Sequence, residues 1–381
     1  MRAIVVGLGV MGLPTARVLA ERGHDVVGVD QATVGAAAGS SSGDTRIFRV
    51  SHADRELTRL AVRALDCWRE LEARAGEELI LMRGQLERGE GAVATAATLD
   101  AEGIPYRSLE SHETASLFPE LVPRTGVPGF IQADAGTILA ERSLQAELSL
   151  ARAAGAELAE GERVTSVTSD TGRTQVATDQ RTLEADVVVV CAGPWSGSLL
   201  EPLGVLPPLW PVEAQVTYFA SSPETFERPC LVDWHPEIDE CFYGMPTPRG
   251  YKFGSLDWTR VWGGDGETPV NEPEVATLAA LVRSRAPELG DPTGSQACPM
   301  TLTADGKFIL DRRDSLVIGG GCCGQGFKFM PLIGELLADL VEDKPRDPLM
   351  EQFRLDRPGL QRQVSSIRDL ILHEAPTADA T

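Results

Sequence analysis

The chain has no apolar run long enough to cross a bilayer. It is also short of positive charge: 35 Lys and Arg stand against 56 Asp and Glu, a formal net charge of −21. That balance argues against nucleic acid and against anionic membrane surfaces as partners. It also makes any anion site a local exception in a repulsive field, so clustered Arg and Lys carry information. The 7 cysteines, Cys67, Cys191, Cys230, Cys241, Cys298, Cys322 and Cys323, are odd in number and show no metal-ligand spacing. No metal site is expected, and reduced thiols in the cytoplasm fit better than a disulfide framework. No internal repeat is visible. With 381 residues, 43% of them hydrophobic, the chain can form two domains with sizeable cores.

What is present is concentrated in the first thirty residues. Met1 to Val6 is a short apolar run that reads as a buried strand, and it enters Gly7-Leu8-Gly9-Val10-Met11-Gly12 directly. Ala16, Leu19 and Ala20 then recur at helical spacing, Gly23 ends the helix, and Val26 to Val29 form a second strand closed by Asp30. In this strand, turn, helix and strand unit, Gly7 permits the tight turn and Gly9 lets backbone approach a pyrophosphate. Gly12 allows close packing of helix on strand. The helix N-terminus offers N–H groups and partial positive charge to phosphates. Asp30 can accept hydrogen bonds from both hydroxyls of an adenosine ribose, and an acid there disfavours a 2′-phosphate. The glycines explain this apolar start better than a signal peptide does.

Further along, a small-residue loop from Gly35 to Ser42 precedes Gly43-Asp44-Thr45-Arg46-Ile47-Phe48-Arg49. Arg46 and Arg49 would share one face if this segment turns into a helix. Leu57 to Glu72 has helical periodicity, with Cys67 as an inert member. Short strands, helices and proline-marked turns from Leu79 to Pro128 suggest an inserted domain. The helix Ala140 to Ala154, a meander from Glu162 to Leu183 and the strand Asp186 to Val190 resume the first unit. Strands at Ala214 to Phe219, Cys230 to Val232, Cys241 to Gly244 and Tyr251 to Phe253 rebuild the second, closed by a helix from Val275 to Arg285. A glycine-rich turn from Gly319 to Gly326 then feeds a helix from Pro331 to Leu340, and its N-terminus can set backbone donors against an electron-accepting ring. The expected fold class is α/β: a discontinuous Rossmann-like dinucleotide-binding domain, whose motif alone does not separate NAD, NADP and FAD, with a second, substrate domain built on a mixed β-sheet. The boundaries are 1–78, 140–210 and 297–370 for the first and 79–139 and 211–296 for the second, with a disordered tail at 371–381.

Taken together, these stretches resemble the sarcosine oxidase branch of the flavin-dependent amine oxidases, within the wider D-amino-acid oxidase-like superfamily. The resemblance covers almost the whole chain. It is carried by GLGVMG at 7–12, SSSGDTRIFR at 40–49, DVVVVCAGPW at 186–195 and FYGMPTPRGYKFG at 242–254. It continues through ACPMTLTADGKFILD at 297–311 and GQGFKFMPLIGELLADL at 324–340. It implies FAD as cofactor, a secondary amine on an amino acid as substrate and oxygen as electron acceptor.

Residue by residue, the resemblance makes Cys298 the cysteine linked through sulfur to the flavin, with Cys322 and Cys323 as rivals. Lys252 becomes the lysine placed where oxygen is reduced; a fixed cation there stabilises developing negative charge. Arg49 and Lys328 become the pair that holds the substrate carboxylate, Arg46 an arginine stacked near the flavin, and Tyr243 an active-site tyrosine. Ser42, Thr45, Val164, Gly193, Trp195, Gly324, Gly326 and Phe327 complete the set set against the cofactor, with Gly7, Gly9, Gly12 and Asp30. The chain also departs from the pattern. Ser42 stands where the family often has His, and Met300 where it often has Tyr. The histidine a few residues beyond the lysine has no counterpart in Ser255-Leu256-Asp257-Trp258. These positions line the amine side of the pocket, and Asp257 and Trp258 suggest a larger or cyclic amine than sarcosine.

The sequence therefore reads as a monomeric FAD enzyme that oxidises a secondary amino acid to an imine and reduces oxygen to hydrogen peroxide. Two other readings stay open. One is a primary L-amino-acid oxidase or a cyclic-imine desaturase. The other is a flavoprotein or nucleotide-binding sensor with no turnover of its own, for which Lys252, Arg49 and Lys328 would have no use.

Overall fold

The computed structural model describes residues 1–170, 173–205, 207–235, 240–255, 260–264 and 266–364. Arg2–Val6, Gly12–Glu21 and Asp25–Asp30 form the expected strand, helix and strand. Gly7 has a φ of 91°, and a Cβ on Gly12 would lie 1.9 Å from the Gly7 carbonyl oxygen. Both positions are therefore closed to any larger residue.

Arg2–Val6 lies inside a six-stranded sheet ordered Ile309–Arg313, Leu316–Gly320, Val187–Val190, Arg2–Val6, Asp25–Asp30 and Glu157–Glu160. All neighbours run parallel except the first two strands, which form a hairpin. The valines of Val187–Val190 are all buried, as expected of a strand covered on both faces. The helices Gly12–Glu21, Ala140–Ala153 and Met330–Val341 pack together. A Cβ on Gly334 would come within 2.7 Å of the Pro14 Cβ, so that glycine sets how closely two of these helices approach. A three-stranded meander, Val164–Asp170, Arg173–Thr178 and Thr182–Ala185, adjoins this sheet.

A second, eight-stranded sheet is ordered Pro292–Leu302, Trp210–Phe219, Gly250–Ser255, Glu240–Thr247, Cys230–His235, Gln85–Arg88, Gly129–Gln132 and Arg107–Ser108. The strand Pro292–Leu302 runs through the 296/297 division read from the sequence. One face of this sheet is apolar: Leu86, Phe219, Leu231, Phe242, Tyr251 and Phe253 pack with Leu278 and Val282 of the helix Glu272–Arg285. Side chains alternate along a strand, so the neighbouring residues must face the other way. They are Tyr243, Met245 and Lys252, with Val232 opposite Tyr243, Glu87 opposite Val232, and Cys298 opposite Ala214. This register gives the second face its chemistry.

The segment carrying both arginines is a strand, Thr45–Arg49, paired with Ala135–Leu139. The helical face proposed for Arg46 and Arg49 is thus corrected: three apart on a strand they leave from opposite faces. Residues Ile47 and Phe48, β-branched and aromatic, suit a strand better than a helix.

Candidate active site

A cavity of about 480 Å³ lies between the polar face of the eight-stranded sheet, the loop 40–46 and the turn 322–328. The volume is in the range of small-molecule sites. Ser42, Thr45, Arg46, Arg49, Tyr243, Lys252, Cys298, Gly324, Gly326, Phe327 and Lys328 all line it. So do Met300, Cys322 and Cys323. Gly7, Gly9, Gly12, Asp30, Val164, Gly193 and Trp195 lie apart from this lining. All but Val164 sit at or just beyond the ends of strands of the six-stranded sheet, where a dinucleotide crosses an open parallel sheet; Val164 opens the first strand of the three-stranded meander. Asp257 and Trp258 lie outside the described residues.

Arg46 staples the loop. Its guanidinium donates to the carbonyls of Ser40 at 3.0 Å, Ser42 at 2.5 Å and Thr45 at 2.9 Å, and it sits 5.5 Å over the Phe327 ring. Lys252 reaches the same loop, with Nζ donating to the Thr45 carbonyl at 2.7 Å. At 2% exposure the lysine head is out of water. Burial first, then the Arg46 charge, pushes its pKa well below the usual lysine range, with Asp44 pulling the other way. Asp44 is itself held by Arg249 at 2.9 Å.

Two of the cavity thiols, Cys298 and Cys322, differ in electrostatics. Burial pushes the Cys298 thiol up while Arg46 and Lys252 pull it down. Cys322 feels burial alone and is pushed up to about 12. Of these two, Cys298 is the one with cations positioned to favour a thiolate. Cys67, on the helix Arg55–Ala75, is pushed up to about 11, chiefly by burial, consistent with an inert thiol.

Arg49 and Lys328 enter from separate elements. Arg49 Nη1 donates to the Ser51 carbonyl at 2.6 Å and lies 3.7 Å from a Glu87 oxygen. Lys328 follows the glycine turn and its Nζ reaches Gln325 Oε1 at 3.4 Å. Its carbonyl accepts from the buried Trp68 indole at 2.8 Å, which ties the turn to the helix Arg55–Ala75.

Four residues that the sequence reading did not single out belong to this site. Glu87 is fully buried and accepts from Trp234 Nε1 at 2.9 Å, Thr95 Oγ1 at 2.9 Å and Gln85 Nε2 at 3.1 Å. Burial pushes its carboxyl up, with the Arg49 charge the largest opposing influence. Trp234 and Thr95, both held by Glu87, line the cavity. His52 lines it as well and stacks on Phe329 with centroids 6.1 Å apart.

The residues present fit a flavin dinucleotide. No side chain caps the helix Gly12–Glu21, whose N-terminus follows the glycine turn, and its positive end is open to an anion. Asp30 Oδ2 accepts from Leu8 N at 2.7 Å and Oδ1 from Ala32 N at 2.9 Å. Its carboxylate thus fixes the turn, and each oxygen keeps a lone pair for a ribose hydroxyl. Thr45 Oγ1 is buried in the cavity wall with no partner in the protein, a polar atom that awaits a ligand. Among the described residues no cluster of His, Cys, Asp or Glu could hold a metal ion, and no helix is long and apolar enough to cross a membrane.

Comparison with known proteins agrees with this geometry. The chain is 29% identical over 375 residues to the peroxisomal sarcosine oxidase of Homo sapiens, covering 93% of this chain and 95% of the relative. It is 30% identical over 363 residues to the monomeric sarcosine oxidase of Streptomyces avermitilis, covering 89% and 92%. Among solved structures, NikD, an unusual amino acid oxidase essential for nikkomycin biosynthesis, superposes with a TM-score of 0.82. It is 30% identical and covers 92% of this chain and 96% of its own. Residues 2–340 match the family model of the DAO FAD dependent oxidoreductases; the chain belongs to that family.

Proposed function

We propose that the protein oxidises the C–N bond of a secondary amino acid, N-alkylated or cyclic and larger than sarcosine, to an imine, with oxygen reduced to hydrogen peroxide. The observation that carries this reading is the convergence of Arg49, Lys328 and Lys252 on one cavity in a chain of net charge −21. The reaction removes two electrons and two protons from the amine, and oxygen takes up both pairs.

Arg49 and Lys328 hold the substrate carboxylate, the arginine bidentately and the lysine as a point charge. That grip orients the reacting C–H bond, so the pair contributes to rate as well as affinity. Loss of the ammonium proton is favoured by the same two cations, which disfavour a third positive charge beside them; no general base is required. Trp234 and Tyr243 of the eight-stranded sheet line the cavity with Thr95 of the helix Glu90–Glu102, and an indole wall suits a side chain bulkier than the hydrogen of sarcosine. Lys252 stabilises negative charge as oxygen is reduced. FAD, when bound, supplies the two-electron acceptor ring of this chemistry.

Gly7, Gly9, Gly12 and Asp30 bind the pyrophosphate and ribose, with Val164, Gly193 and Trp195 beside them. Ser42, Thr45, Arg46, Gly324, Gly326 and Phe327 surround the ring, and Cys298 is the point of covalent attachment. We assign 1–78, 140–209 and 303–364 to the cofactor unit and 79–139 and 210–302 to the substrate unit, which keeps the strands Trp210–Phe219 and Pro292–Leu302 whole in the eight-stranded sheet. The enzyme is proposed to be a cytoplasmic monomer; Cys67, Cys191, Cys230, Cys298, Cys322 and Cys323 are free, which suits a reducing compartment.

A peroxide assay across N-alkylated, cyclic and primary amino acids tests the reading. Turnover of N-alkylated or cyclic members above sarcosine supports it. Turnover of primary amino acids alone would favour the L-amino-acid oxidase reading instead.

A further inference from the structure

One titratable side chain in the cavity wall has no part in the roles above. His52 lies between the strand Thr45–Arg49 and the helix Arg55–Ala75. Its carbonyl accepts from Thr58 Oγ1 at 3.1 Å, and its ring stacks on Phe329 at an interplanar angle of 29°. These two contacts fix the ring from backbone and from face. The side chain is 4% exposed and lines the cavity.

Nε2 is buried with no partner in the protein, and the Arg49 backbone favours an N–H on the other ring nitrogen. We assign the proton to Nδ1, facing the Arg49 carbonyl. In a neutral imidazole that leaves Nε2 as a bare acceptor. Burial, and then the charges of Arg49 and Lys328, hold the ring well below the usual histidine range, in its neutral form. A buried acceptor without a donor is unfavourable, so its natural complement is a ligand that brings an N–H or O–H.

The two cations nearest His52 are the pair assigned to the substrate carboxylate, and in an amino acid the group one carbon from the carboxylate is the amine. We propose that His52 Nε2 accepts a hydrogen bond from the substrate amine N–H, making His52 a residue that selects secondary over tertiary amines. A secondary amine has one N–H and one lone pair. Anchoring the N–H fixes the direction of the lone pair that pushes out the hydride, whereas a tertiary amine brings no donor and leaves Nε2 unpaired. The inference rests on the reading of Arg49 and Lys328 as carboxylate holders.

Calorimetric titration of the holoenzyme with pyrrole-2-carboxylate and furan-2-carboxylate tests it, because the two differ only in whether the ring heteroatom carries N–H. The wild type should bind the pyrrole about tenfold more tightly, the scale of one buried hydrogen bond. His52→Phe keeps a ring against Phe329 but removes the acceptor, and should bind both equally. His52→Gln returns an acceptor oxygen and should recover part of the preference. Equal affinities in the wild type, or a preference that survives in His52→Phe, would overturn the inference. Failure of both carboxylates to bind the wild type would overturn the carboxylate reading beneath it, and the inference with it.

Discussion

Replacing Lys252 by Met separates the two halves of the proposed reaction. The ammonium is 2% exposed and bound to the Thr45 carbonyl at 2.7 Å, so it is preorganised in a water-poor setting. A unit charge about 4 Å from a developing negative charge, at an effective dielectric of about 20, contributes about 4 kcal/mol. Loss of a single preorganised donor costs about 2.7–4 kcal/mol in measured cases. Lys252→Met should therefore slow the oxygen-dependent phase by roughly 100- to 1,000-fold. The assay is stopped-flow mixing of substrate-reduced enzyme with oxygen, followed by return of the flavin colour; anaerobic reduction by substrate should change less than about tenfold. The pH profile supplies a second signature. Because the folded pKa of Lys252 is depressed by burial and Arg46, the charged form is full on the acid side. It is lost as pH rises through the depressed value, so the wild-type oxygen phase should fall over that window and the Met variant should be flat. Equal slowing of both phases, or a decline with pH that persists in Lys252→Met, would refute the assigned role.

Arg49→Ala should lower kcat/KM for amino-acid substrates by about 2–4 kcal/mol, the scale of truncating one partner of a buried charge pair. Decarboxylated amines should be poor substrates of the wild type and nearly indifferent to the change; equal losses for both would assign Arg49 to fold or cofactor. Acid precipitation should leave the flavin with the protein in the wild type and Cys322→Ser and release it from Cys298→Ser, and flavin freed from a fully loaded wild type would rule out the linkage. Glu87→Ala removes the acceptor of Trp234, Thr95 and Gln85. Thermal unfolding should show a loss of about 2–4 kcal/mol, with Glu87→Gln milder because it keeps an acceptor oxygen.

The nucleotide turn was legible because its requirements are local: Gly7 and Gly12 are fixed by a positive φ and a 1.9 Å approach within six residues. Lys252, Arg49, Lys328 and Cys298 were legible only as matches to a family pattern, and the structure brings all four to one cavity. The helical face for Arg46 and Arg49 failed because spacing three apart was read without the strand propensity of the residues between them. Glu87 and Trp234 were missed for a different reason. They meet only because Gln85–Arg88 pairs parallel to Cys230–His235, with Glu87 opposite Val232, a long-range register that no local pattern encodes. A buried acid in a four-residue strand looks like any surface acid until that pairing is known. His52 stands three residues after Arg49, close enough to have prompted attention, but its missing partner is visible only in three dimensions.

The most direct test of the account is anaerobic mixing of the flavin-loaded enzyme with an N-alkylated or cyclic amino acid, its primary-amine counterpart and its decarboxylated counterpart. The account predicts rapid bleaching of the flavin by the first, slow bleaching by the other two, and stoichiometric peroxide when air is admitted. Bleaching by the primary or decarboxylated amine at the same rate, or none by any secondary amino acid, would contradict it.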